Sequence, residues 1–126
     1  MQVAVLVGAV GLIVASAGHC LAQDASAGEK VFAKCKACHV VDADTNKIGP
    51  SLNGVVGRTA GTHEGFRYSK AMTAAGESGL VWNDETLTAY LRDPKGYIRG
   101  NKMAFVGLKK DEDLANVIAY LKQFSQ

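Results

Sequence analysis

Apolar positions recur at helical spacing in four stretches of the chain, and no stretch alternates convincingly over the length of a strand. The clearest stripe is Leu114, Val117, Ile118 and Leu121, at i, i+3, i+4 and i+7. Asp111, Glu112 and Asp113 open that helix and Lys122 lies near its end, charges that suit the two poles of the helix dipole. Leu87, Tyr90 and Leu91 mark a second helix, capped by Asn83, opened by Asp84 and Glu85 and stopped by Pro94. A shorter one runs from a Ser69 cap through Ala71, Met72 and Ala75 to Gly76. Nearest the N-terminus, Ser26-Ala27-Gly28-Glu29 matches a capping box. It predicts a helix that starts near Ala27 and carries Val31, Phe32 and Cys35 on one face, up to the cysteines. Residues 40–53 break down into Asp, Thr, Asn, Gly and Pro, Gly54 to Gly65 punctuate the next stretch, and 94–110 is a second long loop. The expected fold class is all-α, one domain of short helices with two long loops, which in a small domain usually wrap something.

The first 22 residues stand apart. They contain no Asp, Glu, Lys or Arg, and residues 3–14 are almost wholly apolar, a run shorter than the ~20 residues of a permanent membrane span. The expectation is a secretory signal at 1–22, cleaved after Ala22, with a domain at 23–126 in the periplasm. An uncleaved anchor is the rival reading. Lipidation at Cys20 is disfavoured because His19 before it is not small. All charged residues follow Ala22, so the mature chain keeps the net charge of +2, too small for a nucleic-acid binder.

Cleavage would leave two cysteines, in Cys35-Lys36-Ala37-Cys38-His39. Two thiols one helical turn apart can each add to one vinyl group of a haem, and the following histidine is then held beneath the iron. A thioredoxin-like pair would call for a preceding strand, whereas a helix leads in here. A structural zinc site would have only His63 left to recruit, and adjacent Cys38 and His39 are poorly placed to grip one ion. The motif therefore points to one covalent haem c with His39 on its iron. His63, Met72 and Met103 are the candidates for the opposite axial position, and Met103 lies midway along the second long loop; His63 otherwise reads as a solvated loop residue.

Further matches extend through the chain: Gly28 and Phe32, Gly49-Pro50-Ser51-Leu52-Asn53-Gly54 with Gly57-Arg58, Gly65-Phe66-Arg67-Tyr68-Ser69, Trp82, Tyr90-Leu91 with Asp93-Pro94-Lys95, Tyr97-Ile98, Gly100-Asn101-Lys102-Met103 and Ala119-Tyr120-Leu121. In these the chain resembles the class I c-type cytochromes, the mitochondrial cytochrome c and bacterial cytochrome c2 group, over 28–124. The resemblance implies that family's fold around one haem c, with His39 and Met103 as axial ligands. It implies that the Pro50 carbonyl accepts from the His39 ring, that Arg58, Tyr68 and Trp82 hydrogen-bond a buried haem propionate, and that Tyr90 lies near the Met103 sulfur. Asn101 sits where the family often has Thr. Arg99 replaces a common proline, which could loosen the loop before Met103, and the stretch between Tyr68 and Trp82 is longer than in the mitochondrial form.

The implied function is single-electron transfer without substrate turnover, by a monomer. Implied partners are membrane redox complexes such as a quinol:cytochrome c oxidoreductase, with a terminal oxidase, a reaction centre or a periplasmic dehydrogenase. Lys34, Lys36, Lys95, Lys102, Lys109 and Lys110 fall in segments that the family places around the exposed haem edge, a basic rim for acidic partners. A different class of function, a haem enzyme or ligand sensor, would require Met103 to be labile, and Arg99 is the feature that favours it.

Overall fold

The computed structural model describes residues 23–125, so the expectations of a signal segment, its cleavage or an anchor at 1–22 lie outside the described residues. Among the described residues five helices follow in order: α1 (Ala25–Phe32), α2 (Lys70–Glu77), α3 (Asp84–Arg92), α4 (Pro94–Tyr97) and α5 (Asp111–Lys122). Among the described residues there is no strand, only an isolated antiparallel bridge between Thr59 and Val81, and no helix long and apolar enough to cross a membrane.

The longest helix, α5, organises the rest. Its buried face is Leu114, Val117, Ile118 and Leu121, joined by Asn116 and Tyr120, and it packs on α1 and α3. Burying a side chain of this size stabilises a fold by about 1.5–3 kcal/mol, so this face anchors the core. The α1–α5 crossing is close because Gly28 has no side chain: a Cβ there would lie 1.9 Å from the Asn116 carbonyl oxygen. Phe32 then packs against Tyr120 with ring centroids 5.3 Å apart, and Tyr120 meets Phe124 edge to face at 5.1 Å.

Two boundaries differ from the sequence expectation. Helix α1 starts at Ala25, two residues early, because its cap is Asp24 and not Ser26. The Asp24 carboxylate accepts from the Ser26 and Ala27 N–H groups at 2.9 and 3.2 Å, and the Asp24 N–H donates to Asn116 Oδ1, fixing the entry to the helix. The helix proper also ends at Phe32, and tighter turns carry the chain on to Cys35. Pro94 ends α3 as expected, yet it also begins α4 where a loop was expected. Asp93 accepts from the Gly96 N–H at 3.1 Å, and a proline at N1 gives up no helical hydrogen bond. Helices α2 and α3 begin where Ser69 and Asn83 predicted, the latter with a full capping box to Thr86.

Candidate functional site

After α1 the chain turns on itself, with Cys35 N–H donating to Phe32 O at 2.8 Å and the N–H groups of Cys38 and His39 donating to Cys35 O at 3.1 and 2.9 Å. Both thiols and the imidazole thereby face the same space. Cys35 and Cys38 form no disulfide with each other. Burial pushes the Cys35 thiol up, Cys38 beside it adds to the rise, and Lys34 opposes it.

The following loop closes over the imidazole. Gly49 N–H donates to Cys38 O at 2.8 Å, and His39 Nδ1 donates to the Pro50 carbonyl at 2.8 Å. That bond places the proton on Nδ1 and leaves the Nε2 lone pair for a metal. Burial lowers the His39 pKa against the pull of the Pro50 carbonyl, and the charges of Arg58 and Lys47 lower it further, a direction that favours the neutral, metal-binding form of the ring. Gly49 is required here: a Cβ would lie 2.3 Å from His39 Cε1. In the sequence alone Gly49 reads as a turn residue.

Arg58 and Trp82 are brought together by the bridge at Thr59 and Val81, where Trp82 N–H donates to Arg58 O at 2.9 Å and Gly57 N–H to Trp82 O at 2.6 Å. The guanidinium donates to the Ser51 carbonyl at 2.9 Å and, at 3.4 Å, to that of Asn53. Burial pushes its pKa down while Tyr68 and Asp44 oppose this, and an arginine remains charged regardless. The Tyr68 hydroxyl accepts from His63 N–H at 3.1 Å, which leaves its own proton to donate.

His63 departs from its expected role as a solvated residue. Its side chain is only 9% exposed, Nε2 lies 2.5 Å from Asp44 Oδ1, and Nδ1 is buried with no partner among the described residues. It ties the loop bearing Tyr68 to the loop after the cysteines, as does Asn46, which donates to Glu64 O and accepts from Ser51 N–H. The missed signal was Asp44, nineteen positions earlier.

On the remaining side, Met103 N–H donates to Asn101 Oδ1 at 2.9 Å, and the Tyr90 hydroxyl lies 4.0 Å from the Met103 sulfur. Burial pushes the Tyr90 phenol up to about 12. Trp82 and Tyr90 stack at 4.9 Å.

All ten sequence-predicted site residues, Cys35, Cys38, His39, Pro50, Arg58, Tyr68, Trp82, Tyr90, Asn101 and Met103, line one cavity of about 480 Å³. Met72 lines it as well; His63 does not. Leu52, Val55, Leu87, Leu91 and Phe105 supply apolar walls. The donor set fits a haem: two thiols for its vinyl groups, an imidazole with a directed lone pair and thioethers for soft coordination. Arg58, the Tyr68 hydroxyl and the Trp82 indole also have donors left over for its carboxylates.

An all-α shell of short helices around such a cavity defines a c-type haem protein. A family model for cytochrome c matches residues 25–125. Cytochrome c2 of Afifella marina is 52% identical over 100 residues, 79% of this chain and 81% of that one. Cytochrome c2 iso-2 of Magnetospirillum fulvum is 58% identical over 91 residues, 72% and 92% of the two chains. The solved structure of cytochrome c2 from Rhodospirillum centenum matches with a TM-score of 0.78 at 44% identity, over 82% of this chain and 99% of that chain. The chain belongs to the cytochrome c family, and it carries one covalently bound haem c as an electron carrier.

Proposed function

We propose that the protein is a periplasmic single-electron carrier whose haem c is attached through Cys35 and Cys38 and ligated by His39 and Met103. One observation carries this reading: a single cavity is lined both by His39, its ring oriented by Pro50, and by Met103, held beside the Tyr90 hydroxyl. The bound haem supplies a metal that cycles between two oxidation states. The chain supplies the rest. Pro50 fixes the imidazole tautomer, and Met103 gives a soft ligand that favours reduced iron. Arg58, Tyr68 and Trp82 offset the charge of a propionate in a site where an unpaired charge is costly. Apolar walls of this kind would shield the group from water, so little would rearrange on a change of oxidation state.

With His39 and Met103 both holding the iron, no coordination site would be left for a substrate, which is the basis for reading the protein as a carrier and not an enzyme. The anchoring of Met103 by Asn101 supports that reading over a ligand sensor. The leader-like run at 3–14 supports export to the periplasm.

Partners would be membrane redox complexes, a quinol:cytochrome c oxidoreductase as donor and an oxidase, reaction centre or periplasmic dehydrogenase at the other end. Lys34 and Lys102 line the cavity with Ile48, which is 78% exposed, and Lys47 Nζ reaches the Lys36 carbonyl at 2.9 Å. This mouth suits an acidic protein face with an apolar centre.

The test is a pyridine haemochrome and a ferric visible spectrum of the mature protein. A c-type haemochrome with a Met–iron charge-transfer band is expected. A high-spin ferric spectrum would overturn the ligation, and a periplasmic extract without the protein would overturn its location.

A further inference from the structure

We propose that Asn101 is the positioning residue that holds Met103 at the iron, supplying a restraint that this chain lacks at Arg99. The inference rests on the reading of Met103 as the second axial ligand.

Just before Met103 the backbone is held by a turn, Asn101 N–H donating to Ile98 O at 3.2 Å, and Lys102 Nζ reaches Arg67 O at 3.4 Å. Arg99 is exposed and, unlike a proline, leaves its φ free, and Gly100 follows at φ +90°. Asn101 is the counterweight. It is 8% exposed, and its side chain makes three hydrogen bonds within a short span of chain. Nδ2 donates to the carbonyls of Pro94 and Ile98, both at 2.8 Å, and Oδ1 accepts from Met103 N–H at 2.9 Å. Pro94 opens α4, and Ile98 is its C-cap, with Ile98 N–H donating to Pro94 O at 3.1 Å. Through one planar amide, the Met103 backbone is therefore bolted to a helical turn.

The chemistry demands an amide. Two donors and an acceptor in a fixed plane satisfy two carbonyls and one N–H together. A threonine or serine hydroxyl brings a single donor, and an aspartate has none and would set its charge against both carbonyls. Both Asn101 protons are spent on carbonyls, so it has none left to offer a propionate. Its effect on the haem passes through Met103.

The test uses the ferric holoprotein with free imidazole as the probe, because imidazole can bind the iron only when Met103 leaves. For N101A the binding rate is expected to rise at least about tenfold, as befits the loss of several buried hydrogen bonds. N101D should behave much like N101A, and N101T should fall between them and the wild type; N101T also carries the test if N101A does not fold. Amide hydrogen exchange adds a readout that general destabilisation would not give: exchange at Met103 should quicken while α5 stays protected. Rates within twofold of wild type, or equal quickening across α5 and the Met103 loop, would overturn the proposal. If M103A binds imidazole no faster than wild type, the ligand assignment itself fails, and Met103 amide exchange alone then decides whether the clamp exists.

Discussion

At the scale of single residues, the site depends on atoms that are absent as much as on those present. Gly49 passes so close to the His39 ring that Gly49→Ala must displace either the imidazole or the loop. Overpacking of this kind costs about 1–3 kcal/mol. The variant should unfold at lower denaturant, and its ferric spectrum should show weakened ligation as the Pro50 bond lengthens; an unchanged midpoint and spectrum would contradict the geometry. Tyr90 gives a prediction in pH. A free tyrosine ionises near 10, whereas burial pushes Tyr90 up to about 12. Between those values the unfolded chain has lost the proton and the folded chain keeps it, so stability falls as pH rises through that window. Urea unfolding across it should show the decline, and Tyr90→Phe should flatten part of it. Cys35, Cys38 and His39 were legible because covalent chemistry dictates their spacing. The role of Gly49 was hidden because a Gly-Pro turn already explained it, and that of His63 because its partner is remote in sequence.

Among the elements, α1, α3 and α5 decide whether the cavity closes. Gly28→Ala would drive a methyl group into the Asn116 carbonyl at the α1–α5 crossing, and neither backbone can yield without unseating Phe32 from Tyr120. A loss of about 3 kcal/mol in unfolding free energy is expected, against about 1 kcal/mol for Asn83→Ala, which removes only the α3 cap. If the two variants unfold alike, the close crossing is not what limits stability. Helix stripes and the caps at Ser69 and Asn83 could be read from the sequence because they are local. The start of α1 could not, since Asp24 and Ser26 are both capping residues and only the distant Asn116 settles between them. The bridge that sets Arg58 beside Trp82 was hidden as well: a single pair, Thr59 and Val81, makes no periodic pattern.

At the scale of the whole molecule, function turns on how a protein with a net charge of only +2 finds its partner. A charge that small cannot steer from afar, because fields from separate surface charges fade within a Debye length of about 8 Å at physiological salt. On the proposed reading steering comes from local asymmetry, with Lys34 and Lys102 lining the cavity beside the exposed Ile48. These two contributions separate in an electron-transfer experiment with an acidic partner across a range of ionic strength. Replacing Lys36 and Lys102 with Glu should slow second-order transfer several-fold at low salt and flatten its salt dependence. Ile48→Ser should lower the rate at every ionic strength and leave the slope unchanged, because burial of apolar surface is not screened. Salt-insensitive exchange, unaltered by the two charge reversals, would mean that the lysines are merely solvated. An Ile48→Ser rate equal to wild type throughout would place the docking face elsewhere on the molecule.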